Sequence, residues 1–228
     1  MENQKKVVMA LSGGMDSSTL LLHLKYNLKY DVHCIGFKYN SKHNSYEINA
    51  AKSIAELVGV PYKLIDLTVV FENFKSNLLK SGGDIPEGHY QNENMKLTVV
   101  PGRNTIFSSI LLGYAESIEA QYISIGAHSG DHAIYSDCRK EYIKALDTVA
   151  YLASDRKVEV IAPFIDMYKR DILEIGYGTV SEKLAHSIYK LSRTCYKDQE
   201  RSCGKCASCN ERLEAFMLIG KEDPTSYS

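Results

Sequence analysis

The stretch VVMALSGGMDSSTLLLHL, residues 7–24, constrains the fold of this chain more than any other. It begins as an apolar, β-branched run, tightens into the hexapeptide SGGMDS, and continues with leucines spaced as on one face of a helix. The pattern predicts a strand over residues 5–11 and a helix over residues 17–29. The apolar stripe of that helix would consist of Leu20, Leu21, Leu24 and Leu28. Because a helix N-terminus attracts negative charge, the turn predicts an anion site at the end of the first strand.

The residues of this turn narrow the kind of anion that it can hold. The Walker A loop, G-x-x-x-x-G-K-S/T, is excluded because no lysine follows the glycines. The dinucleotide-binding pattern G-x-G-x-x-G and the esterase pattern G-x-S-x-G do not match this turn either. Gly13 and Gly14 let the backbone approach an anion. The hydroxyls of Ser12 and Ser17 can donate hydrogen bonds to it, whereas the carboxylate of Asp16 suits Mg²⁺ carried by a nucleotide. The alternative is an ordinary turn with a serine or aspartate N-cap.

Strand-like and helix-like segments alternate over most of the remaining sequence. Four apolar runs have the length of strands: residues 31–39, 62–67, 122–127 and 158–164. Three segments have helical periodicity: residues 45–59, which would stop at Gly59, 104–120 and 141–152. This alternation predicts an α/β fold with a doubly wound, mostly parallel five-stranded sheet, in which ligands bind beyond the carboxyl ends of the strands.

Two further features suggest how the chain is organised. The segment 81–103 is rich in glycine, proline and polar residues, and we interpret a loop of that length as a cover over the substrate. We expect an α/β domain over residues 1–178, a helical, cysteine-rich subdomain over 179–220 and a flexible tail over 221–228.

Composition and charge exclude several classes of protein. Apolar residues make up 44% of the 228 residues and charged residues 24%, as in ordinary globular proteins. The formal net charge of -1 provides no basic field for nucleic acid, so a small-molecule substrate is favoured. No apolar stretch has membrane-spanning length, and the first apolar run is too short for a signal peptide. We therefore expect a cytoplasmic protein.

Four of the six cysteines lie close together in the last part of the sequence. Cys195, Cys203, Cys206 and Cys209 have the spacing C-x7-C-x2-C-x2-C. In a reducing compartment this cluster predicts a closed, tetrahedral and structural zinc site rather than disulfides. A redox-active C-x-x-C pair is the alternative, although a dithiol requires only two cysteines.

Other polar residues follow the predicted strands, where the ligands of such a sheet bind. Asp131, Asp137 and Arg139 follow the fourth strand and could bind Mg²⁺ and an anionic or purine-like group. Arg103 ends the long loop and could contact a phosphate or carboxylate, and Asn104 could cap the next helix.

Lys169 lies early in the helical pattern that follows the fifth strand, where a lysine can face a phosphate. The alternatives for these segments are a solvated polar loop over residues 129–139 and an ordinary surface lysine.

The hexapeptide SGGMDS resembles the S-G-G-x-D-S signature of the PP-loop ATP pyrophosphatases. With VPGRN, DHAIYSDCR, APFIDMYK and the cysteine pattern, in this order over about residues 7–217, the chain resembles the 7-cyano-7-deazaguanine synthase family. The resemblance implies an adenine nucleotide alpha hydrolase-like sheet, a C-terminal helical zinc-binding subdomain and a homodimer. It also implies that ATP is split between its α and β phosphates, with the turn holding the pyrophosphate.

The implied reaction converts 7-carboxy-7-deazaguanine and ammonia into 7-cyano-7-deazaguanine, in queuosine-type biosynthesis. ATP would activate the acid, ammonia would displace AMP to give the amide, and a second ATP would activate the amide oxygen so that elimination gives the nitrile. Positioning and charge stabilisation would carry this catalysis, with Mg²⁺ accompanying ATP and Zn²⁺ held by the four cysteines.

The resemblance implies roles for individual residues. Those implied to bind ATP are Leu11, Ser12, Gly13, Gly14, Met15, Asp16, Ser17 and Ser18. Those implied to bind the deazaguanine are Tyr39, His43, Arg103, Asn104, Asp131, Tyr135, Asp137 and Arg139. Those implied to act in catalysis are Asp16, Arg103, Asp131, Asp137 and Lys169.

Two segments depart from the family pattern, and other functions stay open. YNSKH at 39–43 lacks the glycine and glutamine of Y-G-Q-R/K-H, and YSDCR at 135–139 lacks the proline of Y-P-D-C-R. These departures concern substrate contacts more than reaction type. The alternatives are adenylation of a tRNA base, conjugation of the deazaguanine to a protein, and a nucleotide-binding interaction module. The near-neutral charge argues against the first, and the retained Asp16 and Asp131 argue against the last.

Overall fold

The computed structural model describes residues 4–87, 93–197 and 199–228, and within them five parallel strands form one sheet. The strands are β1 (Lys6–Ala10), β2 (Asp31–Lys38), β3 (Tyr62–Asp66), β4 (Tyr122–Ser124) and β5 (Glu159–Ile161). Their order across the sheet is β3-β2-β1-β4-β5, and every pairing is parallel. The predicted doubly wound α/β fold is therefore confirmed. The strand order reverses between β1 and β4, which is where such sheets bind their ligands.

Eight α-helices in the described residues surround the sheet. They are α1 (Met15–Leu22), α2 (Asn44–Val58), α3 (Thr68–Phe71), α4 (Arg103–Ser117), α5 (Lys140–Ala153), α6 (Lys169–Thr179), α7 (Glu182–Leu191) and α8 (Ala207–Leu218). None of the helices in this part of the chain is both long and apolar enough to cross a membrane.

The two faces of the sheet bury two hydrophobic cores, because successive side chains of a strand point to opposite faces. Val7 and Met9 pack in a core with apolar residues of α1, α2, α6 and α7. Val8 and Ile123 pack in the other core with residues of α4 and α5. This alternation explains why β1, at the centre of the sheet, is buried on both faces.

The first helix differs from its prediction at both ends. It begins at Met15, two residues early, because Gly14 occupies the N-cap position. After Leu22 it continues as a π-helical turn over His23–Asn27, in which the N–H of Leu28 donates to the carbonyl of His23. The wider turn breaks the 3.6-residue period. Leu28 is consequently 39% exposed, so its prediction as part of the buried stripe was wrong, whereas the other three leucines are buried.

The second helix ends as predicted and begins one residue earlier. Gly59 ends α2 in the left-handed conformation, with φ of 71°. At the other end, the side-chain amide of Asn44 accepts from the N–H of Tyr39 and donates to the carbonyl of Phe37. These two hydrogen bonds connect α2 to the segment that leaves β2, and they hold Tyr39 and His43 at the carboxyl edge of the sheet.

The long loop and the capping of α4 also differ from their predictions. Within the predicted loop, residues Glu93–Thr98 form a 3₁₀ helix, and residues 88–92 lie outside the described residues. Gly102 occupies the N-cap position of α4, so the predicted cap by Asn104 was wrong. The Asn104 amide donates instead to the carbonyl of Asp137 and the sulfur of Cys138.

The C-terminal segment 221–228, which we expected to be a flexible tail, packs against the cysteine region. The carboxylate of Asp223 accepts from Arg212 Nε at 2.8 Å and from Arg212 Nη2 at 2.9 Å. These side chains are only 1% (Arg212) and 4% (Asp223) exposed. The backbone N–H of Ser228 also donates to the carbonyl of Ser202. These are the contacts of a packed segment, and the division at residues 178 and 220 stays a prediction.

The ion pair between Arg212 and Asp223 predicts a large effect on stability. Asp223→Asn is expected to lower the free energy of unfolding by about 3–5 kcal/mol at pH 7, because it leaves a buried guanidinium without its counter-charge. Urea unfolding followed by circular dichroism measures this difference. Asp66→Asn is the matched control, because Asp66 pairs with Lys38 where both side chains are about half exposed, and little change is expected.

The pH dependence of this difference follows from the pKa of Asp223. Burial alone disfavours its carboxylate, but Arg212 holds the pKa of Asp223 below its usual value. The stabilisation is therefore present above the unfolded carboxyl pKa of about 3.9 and is lost as the pH falls through the lower pKa of the folded state. The difference between wild type and Asp223→Asn should be the same at pH 7 and pH 5. A difference that disappears by pH 5 would contradict this assignment.

Candidate active site

A cavity of about 250 Å³ opens at the carboxyl ends of β1, β2 and β4, beside the reversal in strand order. Most residues singled out from the sequence line it: Leu11, Ser12, Gly14, Met15, Asp16, Ser17, Tyr39, His43, Arg103, Asn104, Asp131, Tyr135 and Lys169. Four others are not among its lining residues: Gly13, Ser18, Asp137 and Arg139. The topology therefore brings together segments that are more than 150 residues apart in the sequence.

The SGGMDS turn forms the floor of this cavity, and its two glycines have different tasks. Gly13 has φ of 82°, and a Cβ there would lie 2.5 Å from the carbonyl oxygen of Glu47. It therefore allows the turn to pack on α2, and its role in binding ATP stays a prediction. Gly14 lines the cavity, and its N–H donates to Ser12 Oγ at 3.2 Å. The hydroxyls of Ser12 and Ser17 lie 2.9 Å apart.

Charged side chains from three helices meet at the start of α1. Lys169 Nζ, at the start of α6, lies 3.4 Å from Asp16 Oδ2 and 2.6 Å from Glu211 Oε2 on α8. His128 Nε2 lies 3.7 Å from Asp16 Oδ2 and 3.5 Å from Asp131 Oδ2. The Lys169 side chain is only 8% exposed, so these interactions act in a poorly solvated environment.

The ionisation of this cluster is set by its own opposite charges. Burial disfavours the charged forms, yet Lys169 and His128 lower the pKa of Asp16. Asp16 and Glu211 correspondingly raise the pKa of Lys169. Both residues are therefore charged over the whole physiological pH range.

One oxygen of this cluster has no partner. Asp16 Oδ1 is buried and makes no hydrogen bond within the described residues. A buried carboxylate oxygen without a donor, with the Asp131 carboxylate on the other side of His128, is a donor set that suits Mg²⁺. The residues present thus fit a divalent cation at this position.

The opposite wall of the cavity is built around Arg103. Its Nη1 donates to the hydroxyl of Tyr39 at 3.4 Å, and the guanidinium lies 5.9 Å from the centre of that ring. Burial disfavours the guanidinium, but Tyr39, Tyr135 and Asp137 together raise the pKa of Arg103. This half-buried cation lacks a carboxylate in direct contact within the described residues, where no ion pair of Arg103 is found. It can therefore receive an anionic ligand.

Asp137 and Arg139 have other neighbours. Asp137 Oδ2 accepts from the backbone N–H of Asn104 at 3.2 Å, which places its carboxylate at the N-terminus of α4. Arg139 is exposed, and its Nε donates to the carbonyl of His132 at 3.0 Å. Both residues contact the loop beside the cavity and are not among its lining residues, and their roles in binding the deazaguanine stay predictions.

Sequence reasoning missed several residues of the site. Glu47, Arg193 and Tyr196 line the cavity, and Glu211 holds Lys169. Glu47 follows His43 by four residues, and in a helix this spacing places two side chains next to each other. The spacing could therefore have predicted that Glu47 lies beside His43 in the site. Glu211 begins the ERLEAF stretch of residues 211–216, but only the packing of α8 against α6 shows which residue of that stretch faces Lys169.

The four clustered cysteines form a second, separate centre. Their sulfur atoms all lie within 4.8 Å of one another, and all four side chains are buried. Cys203 Sγ and Cys209 Sγ are 4.0 Å apart, close to the roughly 3.8 Å that a tetrahedral site with 2.3 Å metal–sulfur bonds requires. Backbone N–H groups donate to Cys195 and Cys203 at 3.3–3.4 Å, which stabilises thiolates. The residues fit a metal ion, as predicted.

Comparison with known proteins agrees with this geometry. A family model described as queuosine biosynthesis protein QueC matches residues 6–220. A protein of Caldicellulosiruptor saccharolyticus named 7-cyano-7-deazaguanine synthase is 46% identical over 222 residues, which cover 97% of this chain and 95% of that protein. One of Pseudoalteromonas atlantica with the same name is 43% identical over 223 residues, covering 98% and 99%.

Solved structures support the fold. NMN synthetase from Francisella tularensis superposes with a TM-score of 0.54 at 13% identity, covering 96% of this chain and 79% of that one. At this identity the similarity shows a shared fold and nothing about the substrate. The match of the family model over nearly the whole chain, together with the two relatives above 40% identity, confirms the predicted resemblance: the chain belongs to the QueC family of queuosine biosynthesis proteins, whose relatives are named 7-cyano-7-deazaguanine synthases.

Proposed function

We propose that this chain converts 7-carboxy-7-deazaguanine and ammonia into 7-cyano-7-deazaguanine at the expense of two ATP molecules. The observation that carries the proposal is the cluster of Asp16, His128, Asp131 and Lys169 at the N-terminus of α1. It combines a helix N-terminus, a buried cation and a carboxylate with a free oxygen, which together suit a nucleotide triphosphate and its metal ion.

ATP would lie along the SGGMDS turn with its pyrophosphate part toward α1. The N–H groups at the start of α1, the Ser12 and Ser17 hydroxyls and the ammonium of Lys169 would stabilise charge on the departing pyrophosphate. Asp16 and Asp131 would hold Mg²⁺, which screens the phosphate charges when it is bound. The hydroxyl pair of Ser12 and Ser17 would have to open toward the phosphate.

The deazaguanine would occupy the side of the cavity near Arg103. Its carboxylate needs a cation at the cavity wall that is not already held in an ion pair, and Arg103 meets this condition within the described residues. The rings of Tyr39 and Tyr135 line the same wall and offer flat surfaces for a fused heterocycle. With one carboxyl oxygen on Arg103, the other would face the open part of the cavity, where the α-phosphate of ATP would lie.

We assign Zn²⁺ to the four cysteines, because four thiolates in a closed tetrahedral set are typical of structural zinc. The set offers no open position for a substrate, so its role is to hold the segment between α7 and α8. A homodimer and a cytoplasmic location stay predictions from the sequence.

The reaction predicts defined nucleotide products. The purified protein with Mg²⁺-ATP, ammonium and 7-carboxy-7-deazaguanine should yield AMP, pyrophosphate and the nitrile, read by mass spectrometry. Asp16→Asn should lower the rate at least about 100-fold, because it removes charge at the phosphate and metal site. Glu174→Gln, at an exposed position of α6, is the control and should keep full activity. ADP in place of AMP would refute the proposed reaction.

The contact between Lys169 and Glu211 predicts a role for a residue outside the cavity lining. Glu211→Gln should reduce kcat/KM for ATP about tenfold, because Lys169 loses one of the two carboxylates that orient it. Glu214→Gln is the matched control, since Glu214 is exposed on the same helix. Steady-state kinetics with ATP as the varied substrate measure the effect. Equal kinetics for the two variants would show that Glu211 does not position Lys169.

The metal centre predicts a link between metal content and folding. Cys206→Ser should lose the bound zinc and lower the melting temperature, because binding a structural metal contributes directly to folding free energy. Cys34→Ala, in the sheet far from the cluster in sequence, should keep the zinc. Elemental analysis and differential scanning calorimetry measure both properties. A strong chelator that leaves the melting curve unchanged would contradict a structural metal.

A further inference from the structure

A histidine–carboxylate pair in the cavity wall has no chemical step assigned to it so far, although the resemblance to the family implies that His43 contacts the deazaguanine. His43 occupies the N-cap position of α2, and its Nε2 lies 3.3 Å from Oε2 of Glu47, one turn along the helix. The imidazole is 3% exposed, and its ring centre lies 5.5 Å from that of Tyr196. All three residues line the cavity.

The contact with Glu47 favours one tautomer of His43. A carboxylate attracts the ring nitrogen that carries a proton, so the Glu47 oxygen 3.3 Å from Nε2 favours the tautomer with its hydrogen on Nε2. Nδ1 then bears the lone pair, and it is buried without a hydrogen-bond partner in the described part of the chain. An unpaired buried acceptor is costly, so a donor brought by a cavity ligand would relieve it.

We propose that His43 is the general base that removes protons from nitrogen in the amide-forming and nitrile-forming steps. The inference rests on the proposed function, because only that reaction places a nitrogen with removable protons in the cavity. Glu47 acts as a positioning residue: it orients the imidazole and stabilises the imidazolium that forms, as carboxylates do in other histidine-based sites.

The proton and electron balance shows why a base is needed twice. In the first step, ammonia attacks the acyl carbon of the adenylated acid, the C–O bond breaks with its electron pair on AMP, and the surplus N–H proton passes to Nδ1. In the second step, the adenylated amide loses a proton from nitrogen, and the electron pair of that N–H bond forms the additional C–N bond of the nitrile. The C–O bond breaks at the same time, and AMP leaves with its electron pair. The nitrogen loses its two protons one after the other through Nδ1, which returns them to solvent.

The other basic groups at the cavity are less suited to this task. Both nitrogens of His128 are engaged, since Nδ1 accepts from the N–H of Gly130 and Nε2 faces Asp16 and Asp131. Burial raises the pKa of the Cys138 thiol and raises the pKa of Tyr62 to about 12, so both keep their protons at neutral pH. Among the described residues of the cavity, His43 is thus the imidazole whose Nδ1 has no competing donor.

The test separates adenylation from the nitrogen steps. His43→Gln keeps a side-chain N–H for Glu47 but removes the basic nitrogen. Acid-dependent exchange of labelled pyrophosphate into ATP, without ammonia and at saturating acid so that a weaker substrate contact does not enter, reports adenylation and should stay within about threefold of wild type. Single-turnover conversion of the amide to the nitrile with ATP should slow by about 100- to 10,000-fold. His186→Gln, exposed on α7, is the matched control and should change neither rate.

A second variant covers the case in which His43→Gln does not fold. Glu47→Gln keeps Nδ1 but removes the charge that stabilises the imidazolium, so nitrile formation should slow about tenfold with exchange unchanged. Equal losses of exchange and nitrile formation in either variant would show a binding role and overturn the proposal. So would unchanged nitrile formation in His43→Gln. Absence of nitrile from the wild type would overturn the proposed function together with this inference, and is therefore distinguishable from failure of His43 alone.

Discussion

The buried ammonium of Lys169 is the interaction on which the architecture of the site depends. Lys169 is the first residue of α6, and it contacts Asp16 of α1 and Glu211 of α8. A single cation therefore connects three helices. A buried charge of this kind is tolerated only because both neighbours are carboxylates. Its position beside the SGGMDS turn gives the site a fixed positive charge at the place where the proposed reaction releases pyrophosphate.

The cysteine cluster contributes to the same arrangement from a distance. Cys206 forms the N-cap of α8 and Cys209 lies in its first turn, so the cysteine cluster lies at the beginning of this helix. Glu211 follows two residues after Cys209, and the next residue, Arg212, pairs with Asp223. A metal ion held by the four cysteines would therefore help to orient α8 and Glu211, although the four cysteines do not line the cavity.

Much of the fold was predictable because its signals are local. The alternation of apolar runs with helical periodicity, the stop at Gly59 and the cysteine spacing each reflect a short stretch of backbone or side-chain chemistry. The errors have equally definite causes. Leu28 was misplaced because a π-helical turn shifted the helical phase, and Asn104 was misread as a cap because Gly102 had already taken that position.

The sequence by itself determined the strand–turn–helix that begins the site, the four-cysteine centre and the family to which the chain belongs, because each is written in residues that are adjacent or regularly spaced. Only the tertiary structure decided that Glu211 faces Lys169, that Asp137 and Arg139 stay outside the cavity lining, and that Nδ1 of His43 finds no hydrogen-bond partner in the part of the chain that the structure describes. These properties depend on how helices pack across the reversal in strand order, and such packing joins residues whose separation in sequence carries no signal.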